Sequence, residues 1–280
     1  MLALQEFIKE SLIYESKESG REKMIKLLKH KKYPDYLNTL NNMLKDEKFA
    51  ALLDECFGGD LGNMKLKWKE QGTAVKKLLP TQSEICLDSS VKVPLKYPEL
   101  IKNFYAKGPI TLFTPLVTFN GNYVIDGHHR WSQLFMFNPT AKMNCWDYSA
   151  DISPIQMLKI TQGAIAAYIA KQSGDEDKEI PVSHGQGINI YKATDKDIKD
   201  YIDEKMGDEA QSEILKYNPN LKSREDILSF LTDNALEIAA DHPSIANAPD
   251  RDLMPKTGVA GGTEDDSALT KMKKGKVLKV

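Results

Sequence analysis

Apolar residues recur along this chain with two different periods, and the change of period marks its organisation. Near the start the spacing is helical. Leu4, Phe7, Ile8 and Leu12 share one face, Met24, Ile25, Leu27 and Leu28 form a second group, and Tyr36, Leu37, Leu40, Met43 and Leu44 run on to Phe49, Leu52 and Leu53. Pro34-Asp35 opens this third helix and Gly58-Gly59 closes it. The middle of the chain changes to strand-like runs. Leu116-Val117-Thr118-Phe119 and Asn122-Tyr123-Val124-Ile125 are β-favouring and are joined by Asn120-Gly121. Asn-Gly between two such runs predicts a hairpin, because a type I′ turn needs two residues at positive φ. Trp131, Leu134, Phe135 and Met136 then return to helical spacing until Asn138-Pro139 stops the helix, and Lys142–Tyr148 predicts a further strand.

The remainder is mainly helical. Ser153-Pro154 opens a helix extending to about Gln172, since proline suits the first helical position. Ile188–Tyr191 predicts a short strand, and helices follow near Asp195–Lys205, Asp208–Lys216 and Ser223–Ala239. Past His242 the chain is rich in Pro, Ala, Gly and Asp and reads as an extended tail. The expected fold is therefore α+β: a helical segment over 1–78, a small mixed-sheet domain over 79–150, a mainly helical segment over 151–240 and a flexible tail over 241–280.

Composition narrows the function. The chain has 280 residues, a formal net charge of −2 and 41 % hydrophobic residues, as expected of a globular protein with more than one structural segment. No apolar run approaches membrane-spanning length, and the start carries early acidic residues rather than a secretory signal. Cys56, Cys86 and Cys145 are few and widely spaced, which predicts reduced, buried thiols and a cytoplasmic setting and excludes a Cys-x-x-Cys zinc ribbon. The slightly acidic balance argues against general binding to duplex DNA, which needs a clustered basic face.

The densest chemistry lies in Asp126-Gly127-His128-His129-Arg130, at the junction of the second hairpin strand and the following helix. A helix N-terminus offers unpaired backbone N–H groups to a phosphate, and Arg130 can add a bidentate contact. Asp126 can hold a hydrated Mg²⁺, act as a base or simply cap the helix. Gly127 permits close approach of backbone to ligand. His128 and His129 are adjacent, about a hundred degrees apart on a helix, so they do not readily share one metal ion. One of them is expected to meet a phosphate or a transferring proton, with His128 preferred, and the other to pack. The alternative for Arg130 is a salt bridge to a neighbouring acid.

This pentapeptide, in its strand–turn–helix setting, resembles the ParB/sulfiredoxin superfamily, and in particular its ParB-like nuclease branch. Pro80-Thr81-Gln82-Ser83-Glu84-Ile85 is similar to that domain's opening strand, which often carries a functional glutamate. The resemblance spans Leu79 to Tyr148. The turn has no cysteine, unlike sulfiredoxins, and the chain has no helix-turn-helix, unlike the chromosome-partition proteins. The free-serine kinase pattern maps onto Asp126, Gly127, His128, Arg130 and Glu84.

What the resemblance implies is a nucleotide phosphate seated on the turn. Family members use ATP or CTP with Mg²⁺ for hydrolysis or phosphoryl transfer, and some are described as nucleases. The expected catalytic residues are Asp126, Glu84 and His128. The expected phosphate ligands are Gly127, His128, His129 and Arg130, with Asp126 on the metal. A small hydroxyl compound or a nucleic acid is the expected second substrate. The alternatives are a metal-dependent nuclease and a non-enzymatic assembly or DNA-associated module, the last suggested by a similarity to phage-encoded proteins, which would place it in a host cytoplasm or a virion.

Other residues have plainer readings. Glu84 either activates a hydroxyl or water or lies exposed on an edge strand. Gln82 contacts a base or sugar or, the preferred reading, is structural. Ser183–Gly187 reads as a turn rather than a loop closing over a nucleotide, and Phe57–Asn63 as a helix-ending loop without the Lys-Ser/Thr of a P-loop. Trp68, Trp131 and Trp146 read as core or edge packing, and His30 and His242 as surface residues.

Overall fold

The computed structural model describes residues 67–112, 115–158, 160–161 and 187–248. The three helices expected in the N-terminal segment, the loop expected at Phe57–Asn63, His30, Cys56, most of Ser183–Gly187 and the chain beyond 248 lie outside the described residues. The chain divides into two compact units, one of Trp68–Tyr148 with His184–Arg251 and one of Met1–Lys67, Ser149–Ser183 and Asp252–Val280. In the latter, residues 154–158 are helical behind a reciprocal cap, in which the Ser153 amide donates to Gln156 Oε1 at 2.9 Å and the Gln156 amide to Ser153 Oγ at 3.3 Å.

The former unit is α+β, with a five-stranded mixed sheet in the order β1-β5-β3-β4-β2. The strands are β1 (Lys67–Ala74), β2 (Leu79–Pro80), β3 (Leu116–Phe119), β4 (Tyr123–Asp126) and β5 (Lys142–Ser149). Strand β3 runs antiparallel to β4 and parallel to β5, while β2 runs parallel to β4. The β3–β4 hairpin forms at the predicted Asn-Gly turn, with Asn120 at φ 49° and Gly121 at φ 82°. Asp147 of β5 clamps that turn, its Oδ1 accepting from Thr118 Oγ1 at 2.8 Å and from the Gly121 amide at 2.9 Å. All four residues of β3 are buried, as expected of a strand with a neighbour on each side.

Strand β1 precedes the expected domain start at Leu79. Its residues Lys67-Trp68-Lys69-Glu70 are exposed at the edge of the sheet, so the sequence carries no apolar alternation there. Of the tryptophans read as core or edge packing, Trp68 lies on the edge strand and is 53 % exposed, whereas Trp131 is fully buried.

Helix α1 (Leu87–Lys96) contains Pro94, followed by a 3₁₀ turn at Pro98–Leu100 and the short α2 (Ile101–Phe104). Helix α3 (His128–Phe137) is central, and every residue from Trp131 to Phe137 is buried, including Ser132 and Gln133. Trp131 Nε1 donates to Val75 O at 3.0 Å, and Asn234 Nδ2 donates to Met136 O at 2.7 Å.

The last three helices, α4 (Asp195–Lys205), α5 (Asp208–Tyr217) and α6 (Arg224–Asp241), form where the pattern predicts them. Capping boxes at Thr194 with Asp197 and at Ser223 with Asp226 fix the starts of α4 and α6. Ile188–Tyr191 contributes one antiparallel bridge, Asn189 to Cys86, rather than a full strand. Cys86 and Cys145 are buried, and burial pushes the Cys145 thiol up. Among the described residues no helix is long and apolar enough to cross a membrane.

Residues 242–248 are docked rather than extended. His242 is buried, its ring edge-on to Trp131 and Phe135, with Nδ1 3.0 Å from Leu78 O. Tyr191 OH donates to His242 O at 2.8 Å, Ser244 Oγ donates to Gln82 O, and the Ile245 amide donates to Pro80 O at 3.3 Å. The aromatic environment of His242, assembled from α3, is what a reading of 241–280 as loose tail misses.

Replacing Asp147 with Ala orphans two donors behind the hairpin and is expected to cost about 3 kcal/mol, read as a lower urea midpoint; a midpoint unchanged within error contradicts the clamp. Burial pushes the phenols of Tyr105 and Tyr191 up to about 12, from an ordinary value near about 10. The unfolded chain therefore loses these protons first. Stability is full below about pH 10 and falls as the pH rises toward the folded values. Melting temperatures across this range are expected to drop less steeply in Tyr191→Phe, and an identical slope contradicts the assignment.

Candidate functional site

The turn between β4 and α3 is shaped by one glycine. Gly127 sits at φ 98°, ψ 25°, in the left-handed region, as the N-cap of α3. A Cβ at this position would lie 2.5 Å from Leu116 Cδ2 and 2.7 Å from Arg130 Nη2. Neither the backbone angle nor the space admits a side chain. Just before it, the β3–β4 register slips: Val117 pairs with Asp126 and Thr118 with Val124, leaving Ile125 as an extra residue on β4. Such a bulge re-aims the residue beside it, here Asp126 at the strand end.

Asp126 and Arg130 are joined. Arg130 Nη2 donates to Asp126 Oδ2 at 2.8 Å, and Nη1 donates to Pro115 O at 3.1 Å. Both side chains are mostly but not wholly buried. The salt bridge weighed as the alternative for Arg130 is thus present, one helical turn apart, and it holds the guanidinium against the mouth of the helix.

The two histidines differ in environment. His128 is 3 % exposed, and its Nε2 accepts the Thr81 amide at 3.0 Å. An Nε2 that accepts from an N–H carries no proton, so the ring is the Nδ1–H tautomer. Thr81 Oγ1 lies 3.2 Å from the same nitrogen and donates to Val124 O at 2.6 Å. His128 therefore ties the segment after β2 to the turn, which differs from the ligand contact expected of it. His129 is half-buried, the more exposed of the pair.

The segment expected to be an opening strand is one only at Leu79–Pro80; Thr81 to Ile85 then bends away, because Thr81 gives its amide to His128 rather than to a sheet ladder. Since β2 and β4 are parallel, this segment and the Asp126–Arg130 turn leave the sheet at the same end. The carboxyl ends of parallel strands are where ligands settle in α/β sheets. Glu84, half-buried, lies in this segment rather than on an edge strand. Gln82 is 7 % exposed, and its Oε1 is buried with no hydrogen-bond partner.

Opposite, α1 starts beside α3. The Ser90 and Ser132 hydroxyls meet at 2.6 Å, and Gln133 Nε2 donates to Ser89 O at 2.9 Å. Asp88 in the first turn of α1 accepts from Tyr201 OH, and burial together with this carboxylate pushes that phenol up. Sequence reasoning did not single out Thr81, Ser90 or Tyr201. Only Thr81 leaves a trace in the sequence, a β-branched hydroxyl residue directly after Leu-Pro.

No family model matches this chain, nor does any curated protein or solved structure.

Among the described residues no group of three or more His, Cys, Asp or Glu is placed to hold a metal ion. The turn supplies one carboxylate, Asp126. That fits a Mg²⁺ carried by nucleotide phosphates, which needs only one or two protein carboxylates, and does not fit a cage built from protein alone.

Gly127→Ala combines the left-handed strain with the collision at Leu116 and is expected to cost about 2 kcal/mol or more. A thermal melt checks it, and a melting temperature equal to wild type contradicts the geometry described.

Proposed function

We propose that the Asp126–Arg130 turn binds the phosphates of a nucleoside triphosphate with Mg²⁺, for hydrolysis or phosphoryl transfer. The observation that carries this reading is the left-handed Gly127 start of α3 at the shared carboxyl end of β2 and β4, with an arginine folded beside it. Backbone N–H groups there favour a negative charge, and a glycine that cannot carry a side chain leaves the backbone accessible to it. The resemblance of Asp-Gly-His-His-Arg to the ParB/sulfiredoxin turn supports the same ligand.

In this reading the Gly127–Arg130 backbone and the Arg130 guanidinium hold phosphate oxygens, and His129 is the imidazole on the ligand side. His128 acts by position: it fixes Thr81 beside the turn. Asp126 is the carboxylate for the nucleotide's metal. Glu84 accepts the proton of the attacking hydroxyl, from water or a small hydroxyl compound, as its oxygen bonds to the terminal phosphorus and the nucleoside diphosphate leaves. Positioning and fixed dipoles supply most of the rate in such a site.

Calorimetric titration with ATP, ADP, CTP and GTP in Mg²⁺ tests the site. Wild type is expected to bind one of them in the micromolar range, and Arg130→Ala, confirmed folded by its melt, to bind it at least about tenfold more weakly, the loss of one charge-assisted contact. Equal binding by the variant, or no binding by wild type, contradicts the proposal.

A further inference from the structure

Gln82 is the one residue near the turn whose polar chemistry is left unanswered. Its Oε1 is buried without a partner, and the only other such side-chain atom among the described residues is Thr232 Oγ1, on α6. Gln82 cannot easily swing out to solvent. It is 7 % exposed, its neighbour Thr81 is fixed through amide and hydroxyl to His128 and Val124, and its own carbonyl accepts from Ser244. An acceptor kept dry and unpaired costs stability. A chain that needed only packing here would do better with Met or Leu. A donor arriving with a ligand would remove the cost.

From this we infer that Gln82 is the specificity residue of the phosphate site: its Oε1 accepts a hydrogen bond from the nucleoside half of the bound nucleotide, an exocyclic base amine or a ribose hydroxyl. The inference rests on the phosphate reading of the turn. Both groups are neutral donors carried within one nucleotide's length of its phosphates. A guanidinium or ammonium at this position would compete for the phosphates, whereas a neutral amide acceptor reads a neutral donor. The docked 242–248 segment also holds the Gln82 backbone, through Ser244 on its carbonyl and the Ile245 amide on Pro80 O.

The test uses the full chain, with ATP, CTP and GTP and their des-amino analogues (purine riboside triphosphate, pyrimidin-2-one riboside triphosphate and ITP), together with the 2′-deoxy forms. In wild type, removing either the amine or the 2′-hydroxyl is expected to weaken binding about tenfold or more, as an unpaired buried acceptor requires. Which removal matters tells base from sugar. Gln82→Met is expected to bind parent and analogue alike, to keep its dependence on Arg130, and to melt higher than wild type without nucleotide. Equal affinity of wild type for the parent and both analogues, with binding still lost in Arg130→Ala, overturns this inference and leaves the phosphate site standing. A Gln82→Met protein that melts lower yet still discriminates assigns Gln82 a structural role and overturns it too. Absence of any nucleotide binding overturns both readings. The wild-type analogue series stands whether or not the variant folds.

Discussion

The Thr81 amide donating to His128 Nε2 is the contact on which the arrangement of the site depends. It is buried, it joins the segment after β2 to the first turn of α3, and it allows only one tautomer of the imidazole. Thr81 Oγ1 on Val124 O closes the same node. Without it the two-residue pairing of β2 with β4 would leave Thr81 untied to the first turn of α3. A buried polar node of this kind is costly when half-made and specific when complete. Here its completion converts a short edge strand into a fixed wall.

Around that node the fold supplies rigidity. Helix α3 is enclosed on nearly every side, with Trp131 anchored on Val75 O and Met136 O capped by Asn234 from α6. The hairpin before it is locked by Asp147. The bulge at Ile125 and the left-handed Gly127 then turn the chain sharply between two stiff elements. Glycine takes this left-handed conformation without a side-chain penalty, and α3 therefore starts directly after β4. The Asp126–Arg130 ion pair balances charge in the turn, and a phosphate arriving there would compete with Asp126 for the guanidinium.

Much of this is legible in the chain because the signals are local. Asn120-Gly121 dictates its turn, Ser223 and Thr194 announce their helices through acidic residues three positions on, and α4 to α6 follow from apolar spacing. Strand β1 is silent because its exposed edge needs no apolar alternation, and α1 is disguised by Pro94 within it. The turn is legible as a cluster of residue types, yet the division of labour between His128 and His129 is not. That division is decided by Thr81, a partner remote in sequence. His242 is misjudged for the same reason: a histidine between an aspartate and a proline reads as surface until Trp131 and Phe135 close over it. Gln82 is the reverse case, a glutamine without a sequence signal whose Oε1 the fold leaves buried and unpaired.

The proposed phosphate contact with the backbone at the start of α3 is open to amide-resolved NMR during titration with a Mg²⁺-nucleoside triphosphate. The Gly127, His128, His129 and Arg130 amides are expected to shift together and saturate with the bound fraction. Saturable nucleotide binding that leaves these four amides unmoved would contradict it.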